Sequence, residues 1–342
     1  MPPLAEALPE TLDAVAERNV RDLLTHALLH TTARAIVVAD HQCGLARTLA
    51  GAYRACLPDA LHLSFDEVGP ERILQAFTQL HAGDLVVLIQ SGSFRLEEFR
   101  IRVELFKRGL KVIEHPHLRR MLEDEYPTYV DALAYDPAYY RGVGTELKRR
   151  IDNAPGAVVD SGGERLVYGG PLEPAKLNIG DYTGFVNVGG QFPIGEVFTE
   201  PRDLQTVNGR VRIFVFGDTD FCVNVPPTPI TLQIELGKVT KVIDSTPAFD
   251  RVIEQIQADE EVLVRELGFG MNRALTRERR VSDIGTYERM CGIHLSLGAK
   301  HGVYDKPGLK RRHTRYHVDV FAQTESVTLG DDVVFRDGAW CV

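Results

Sequence analysis

Apolar positions follow one spacing over the first 150 residues and another over the rest of the chain. In the first part, continuous apolar runs alternate with longer amphipathic stretches. Ala35 to Ala39, Ala60 to Phe65, Asp84 to Ile89 and Leu110 to Ile113 predict four strands, the second being the weakest. Cys43 to Arg54, Pro70 to Leu80 and Phe94 to Arg108 predict the helices between them, and Leu118 to Arg150 is expected to be mainly helical. Uninterrupted apolar strands separated by helices indicate βαβ units and a parallel sheet covered on both faces, a Rossmann-like α/β domain.

The spacing changes near Asp152-Asn153-Ala154-Pro155-Gly156. Beyond that point short alternating strands are punctuated by Gly, Asn and Pro. Asn208-Gly209 predicts a tight hairpin between Leu204 to Val207 and Arg210 to Phe216. Leu236-Gly237-Lys238 predicts a second one between Ile230 to Glu235 and Val239 to Ile243. One amphipathic helix, Pro247 to Ala258, interrupts the strands. The expected organisation is α/β followed by α+β, with residues 1–152 as the Rossmann-like domain and 153–342 as a mainly antiparallel β domain.

Composition narrows the function classes. A net charge of −9 with no basic run argues against a nucleic-acid partner. No apolar stretch reaches the roughly 20 residues needed to span a bilayer, so no membrane partner is expected. The N-terminus carries acid where a secretory signal needs basic residues, and the five cysteines never form a Cys-x-x-Cys pair. A cytoplasmic protein without disulfides or thiolate zinc is expected. The loop Asp40-His41-Gln42-Cys43-Gly44 after the first strand has one glycine where a dinucleotide fingerprint needs three, so no nucleotide cofactor is expected there.

The chemistry concentrates in the second half. No histidine occurs between His117 and His294, and then four fall within 24 residues. His317 and Asp319 alternate with Val318 and Val320 on a predicted strand, which places both polar side chains on one face. His294 lies in the strand Ile293-His294-Leu295-Ser296-Leu297. Glu266 closes an apolar strand beside Gly268-Phe269-Gly270, and Glu196 follows a Pro-x-Gly turn in an expected loop. Carboxylates and imidazoles together suit zinc, manganese, cobalt or ferrous iron.

These segments resemble the thermophilic-metalloprotease family of aminopeptidases, the aminopeptidase T and aminopeptidase S type. Gly195-Glu196-Val197-Phe198-Thr199-x-Pro201 resembles the family's first ligand segment and Glu266-Leu-Gly-x-Gly-x-Asn272 its second. His294-x-x-Leu-Gly298 resembles the third, and His317-x-Asp319 supplies the last pair. The resemblance covers mainly residues 185–321. It implies two divalent ions (zinc, cobalt or manganese) held by Glu196, Glu266, His294, His317 and Asp319, with His301 as a candidate sixth ligand; among the acids Glu196 is the preferred proton acceptor. It also implies a homodimer acting on small peptides or amides. His301 stands where the family has a tyrosine ligand, and Arg312 and Thr314 stand where it has Asn and Ser. The 2,5-dihydroxypyridine dioxygenases share the fold. Their single ferrous iron would fall on His294, His317 and Asp319 here, but the acid at Glu266 takes the place of one of their histidines. A metal-free binding member of the fold is the remaining alternative.

Overall fold

The computed structural model describes residues 10–30, 33–94, 96, 101–299, 304 and 316–342. The described residues up to Tyr135, together with Tyr182–Pro193, pack as one unit, and Asp136–Asp181 with Ile194–Val342 as a second. The units are therefore not separated by a single cut in the chain.

The first unit is built on a parallel sheet. Its strands β1 (Ala35–Ala39), β2 (Leu61–Ser64), β3 (Leu85–Ile89) and β4 (Lys111–His115) lie where the apolar runs predict them, in the order β2-β1-β3-β4. Every residue of β1 and β3 is buried. The helices are α1 (Leu12–Asp22), α2 (Gly44–Cys56), α3 (Phe65–Phe77), α4 (Ile101–Lys107) and α5 (Tyr126–Ala132). The apolar pattern did not single out α1, whose start is capped by the Thr11 side chain accepting from the Ala14 N–H. Two predicted helices are corrected. α3 starts before Pro70 and breaks at Gly69, which adopts φ 74°. Phe94 and Leu96 are not helical, and among the described residues α4 spans Ile101–Lys107.

At the carboxyl ends of β1 and β3, the buried Asp40 accepts from the Ser91 N–H at 2.8 Å and from the Ser91 hydroxyl. The chain then passes through α6 (Pro137–Asn153) and β5 (Ala157–Ser161), β6 (Glu164–Tyr168) and β7 (Lys176–Asn178) of the second unit. It returns with β8 (Val188–Gln191), which extends the first sheet parallel to β4. This strand has no apolar signature because its centre is Gly189-Gly190. Gly189 sits at φ 101°, and a Cβ there would lie 2.0 Å from the Val112 carbonyl oxygen. The close approach of β4 requires glycine, and glycine erases the strand signal.

The second unit is a large antiparallel sheet, with the order β19-β18-β17-β5-β6-β10-β16-β15-β14-β9-β7 among its described strands. The new members are β9 (Glu196–Thr199), β10 (Val207–Gly217), β11 (Val223–Asn224), β12 (Ile230–Glu235), β13 (Lys238–Ile243), β14 (Val264–Gly270) and β15 (Gly292–Gly298). They are completed by β16 (His317–Ala322), β17 (Thr324–Leu329), β18 (Asp332–Arg336) and β19 (Ala339–Trp340). Helix α7 (Pro247–Gln257) lies where the amphipathic pattern predicts it, and a short α8 (Ile284–Tyr287) precedes β15. The hairpin β12–β13 forms through Leu236 and Gly237, both at positive φ, as a type I′ turn needs. The hairpin predicted at Asn208-Gly209 does not form, because both residues lie inside β10. Gly209 is needed there for a close approach: a Cβ would stand 2.2 Å from the Arg165 carbonyl oxygen on β6. The Asn208 side chain accepts from the Leu236 N–H, tying β10 to the turn of the neighbouring hairpin.

A buried polar knot fixes the first unit. His115, at the end of β4, contacts the Tyr53 hydroxyl of α2 through Nε2 at 2.8 Å and the Tyr129 hydroxyl of α5 through Nδ1 at 2.9 Å. Tyr129 donates to the Phe192 carbonyl oxygen. Its oxygen therefore accepts from Nδ1–H, and Nε2 accepts from Tyr53. Burial lowers the His115 pKa to about 3, so the folded chain holds a neutral ring. A folded pKa below the unfolded one gives stability that is complete above about pH 6.5 and is lost as pH falls toward 3. Urea unfolding between pH 6 and 4 should show the wild-type chain losing about 1.4 kcal/mol per pH unit more than His115→Gln. Equal slopes would mean that His115 does not titrate as a buried neutral group.

Candidate metal centre

Four adjacent strands, β9, β14, β15 and β16, set out the site on one face of the second sheet. Residues directly opposite across an antiparallel pair share a face. Gly270 pairs with Glu196 and Gly292, and Gly268 pairs with Phe198 and His294. Ser296 then pairs with Asp319 and Gly298 with His317. Glu196, His294, His317 and Asp319 consequently point to the same side. Glu266 joins them at a bulge, where Arg265 and Glu266 together oppose Ser296. The Ser296 hydroxyl accepts from the Glu266 N–H at 3.0 Å and fixes that irregularity.

Glycines clear the face for these side chains. A Cβ on Gly268 would lie 2.0 Å from the His294 ring, so the imidazole occupies the space that a side chain at 268 would fill. A Cβ on Gly270 would lie 1.9 Å from the Met290 carbonyl oxygen. The segment after α8 can fold down over that strand only because position 270 has no side chain. The Asn272 N–H donates to the Arg289 carbonyl oxygen at 2.9 Å and holds the segment in place. Glu288 and Arg289 thereby reach the cluster.

His294 Nε2 lies 3.3 Å from Glu196 Oε1 and 3.3 Å from Glu266 Oε1. One ligand atom from each of the three lies within 4.8 Å of the others, and all three residues are buried. Tetrahedral ligands about 2.1 Å from a zinc-sized ion stand about 3.4 Å apart, so the spacing and the O, O, N donor set fit a divalent metal. His317 Nε2 lies 3.1 Å from Asp319 Oδ1, and its Nδ1 donates to the Ala299 carbonyl oxygen at 3.2 Å. That second contact leaves Nε2 facing the acids, as is usual for a metal-binding imidazole. Asp319 Oδ1 and His294 Nδ1 are buried without a hydrogen-bond partner of good geometry.

The electrostatics are those of an acid cluster held by cations. Burial disfavours the Glu196 carboxylate, but Arg289 and then His294 outweigh it and lower its pKa. Burial likewise opposes charge on His294, and the two glutamates override it, raising the ring well above the ordinary histidine value. His317 is raised to about 10, Asp319 and Glu266 prevailing over burial. Asp319 is held below its usual range, where His317 and His294 overcome burial. Glu288 goes the other way: burial, with Asp319 and Glu196 nearby, pushes its carboxyl well above the usual value. Buried carboxylates are costly without such partners.

Of the residues picked out in the sequence, Glu196, Glu266 and His294 come together, and His317 pairs with Asp319 on the neighbouring strand. Glu196 lies not in a loop, as its Pro-x-Gly context predicts, but at the first position of β9, paired to Gly270. His301, Arg312 and Thr314 lie outside the described residues. Glu288 and Arg289 were not anticipated. The available signal was the alternation of Gly268 and Gly270, which clears one strand face for something to lie against it.

Similarity to known proteins lies in the fold. Wild-type AmpT from Thermus thermophilus superposes with a TM-score of 0.59 at 16% identity, covering 97% of this chain and 100% of that one. No protein-family model and no curated protein sequence matches the chain. No helix among the described residues is long and apolar enough to cross a membrane.

Because the His294 ring fills the place of a side chain at position 268, Gly268→Ala should push the imidazole off both glutamates. The variant is expected to keep wild-type far-UV circular dichroism and to bind zinc at least about tenfold more weakly by calorimetric titration, the scale of a mispositioned ligand. A control at Gly190, where a Cβ meets nothing within 4 Å, should leave zinc binding unchanged. Undiminished zinc affinity in Gly268→Ala would show that the ring position does not matter for metal.

Proposed function

We propose that this chain is a metal-dependent, aminopeptidase-like hydrolase acting on small peptides or amides. The buried Glu196–Glu266–His294 cluster carries this reading, because its three members stand at the positions that resemble the first three ligand segments of the aminopeptidase T and S type. The likeness to AmpT supports it at the level of the fold. Glu196, Glu266 and His294 would hold a divalent ion, with His317 and Asp319 on the next strand completing the acid and imidazole set.

When bound, the ion supplies a Lewis acid for the scissile carbonyl and lowers the pKa of a water molecule toward neutrality. The protein's own share is positional and electrostatic. Glu196 and His294 stand on strands paired to β14, and Glu266 sits at the bulge of β14 pinned by the Ser296 hydroxyl, so backbone hydrogen bonds fix the separation of the three donors. Glu196 Oε1 faces the His294 donor atom while Oε2 faces Arg289, and we assign Glu196 as the acceptor of the water proton. The resemblance to aminopeptidases leads us to infer an amine-anchored substrate, a free ammonium group being preferred over an acylated one.

The test is cleavage of a fluorogenic aminoacyl amide by the full chain. Hydrolysis should disappear with a chelator, return with zinc, cobalt or manganese, and fail on the N-acetylated form of the same compound. Glu196→Gln is expected to lower kcat about 100-fold or more. Equal cleavage of free and acetylated compounds would refute the amine-anchored reading. Oxygen uptake with a dihydroxypyridine and no amide cleavage would assign the site to ring-opening iron chemistry instead.

A further inference from the structure

Arg289 is a buried cation placed among the acids of the proposed metal centre. Its Nη1 donates to the Gly285 carbonyl oxygen at 2.6 Å and contacts the Glu288 carboxylate. Its Nη2 lies 3.8 Å from Glu196 Oε2, and both side chains are shielded from solvent. The guanidinium is held in this place by backbone. The segment that carries it lies against Gly270, where no Cβ fits, and the Asn272 N–H is bonded to the Arg289 carbonyl oxygen. The two oxygens of Glu196 therefore have different neighbours: Oε1 faces His294 and Oε2 faces Arg289.

A carboxylate that bridges two metal ions gives one oxygen to each of them. Here the second oxygen faces a permanent positive charge that cannot be deprotonated in a protein. A second dication next to that guanidinium would be repelled at short range in a poorly screened interior. We propose that Arg289 takes the place of a second metal ion, so that the site holds one divalent ion on Glu196 Oε1, Glu266 and His294. On this arrangement His317 and Asp319 remain a pair beside the ion. The proposal rests on the metal-dependent reading above and deepens it by fixing the number of ions and naming the residue that fixes it.

Metal-depleted full-length chain would be titrated with zinc by calorimetry, with the bound metal counted by elemental analysis after gel filtration. The wild-type chain should bind one zinc. Arg289→Met, similar in bulk and uncharged, should bind two, because the second oxygen of Glu196 then lacks its cation. Arg289→Lys, which keeps the charge, should still bind one. Far-UV circular dichroism establishes that each variant is folded. Two zinc ions in the wild-type chain would overturn the proposal whether or not the Met variant folds, and so would a single ion in folded Arg289→Met. No zinc in the wild-type chain would remove the metal reading itself, and this proposal with it.

Discussion

The second unit depends on keeping several carboxyl groups together in a buried part of one sheet face. Glu196, Glu266 and Asp319 are buried, and Glu288 leans over them. Like charges at these separations repel strongly in a low-dielectric interior, and each would be costly without a partner. The partners supplied by the chain are His294, His317 and Arg289. Each imidazole is raised above its ordinary pKa by the acids, so each responds to the same negative potential that would attract a metal ion. A cluster this dependent on positive charge is an unusual thing for a core to tolerate, and groups with such perturbed titration tend to be functional.

The sheet makes the cluster possible in two ways. Antiparallel register converts separation in sequence into adjacency, bringing acids and histidines from β9, β14, β15 and β16 onto one face without any loop having to hold them. Glycine then supplies the depth. Gly268 is replaced in space by an imidazole and Gly270 by the backbone of a crossing segment. The bulge at Arg265 and Glu266, pinned by the Ser296 hydroxyl, adjusts one acid relative to the rest. Side chains on strands are held more firmly than side chains on loops, which suits a site whose donor atoms must keep their spacing within tenths of an ångström.

Much of the frame was legible from local pattern. The four parallel strands of the first unit, helices α2 and α7 and the β12–β13 hairpin follow from apolar runs, amphipathic spacing and one tight-turn signal. Two departures, at β8 and β10, share a cause. Gly189 in β8, Gly209 in β10 and Gly268 and Gly270 in β14 each sit where another backbone or ring comes closer than a Cβ allows. A single sequence shows such glycines only as breaks in a pattern, which hides β8 and splits the continuous β10 into an apparent hairpin. The segment containing Glu288 and Arg289 carries no periodicity of its own, and its importance comes entirely from what lies beneath it.

The sequence by itself determined which kinds of chemistry are present and in what order: acids at 196 and 266, histidines at 294 and 317, and an acid at 319 sharing a face with the last of them. Alternation along a strand is a local property, so the common face of His317 and Asp319 needed no tertiary information. Only the tertiary structure decided that Glu196, Glu266 and His294 meet within 4.8 Å of one another, because strand order and bulge position depend on pairings between distant segments. It also decided that an arginine stands among the acids, since that required Gly270 to let a second segment approach where any side chain would have kept it away.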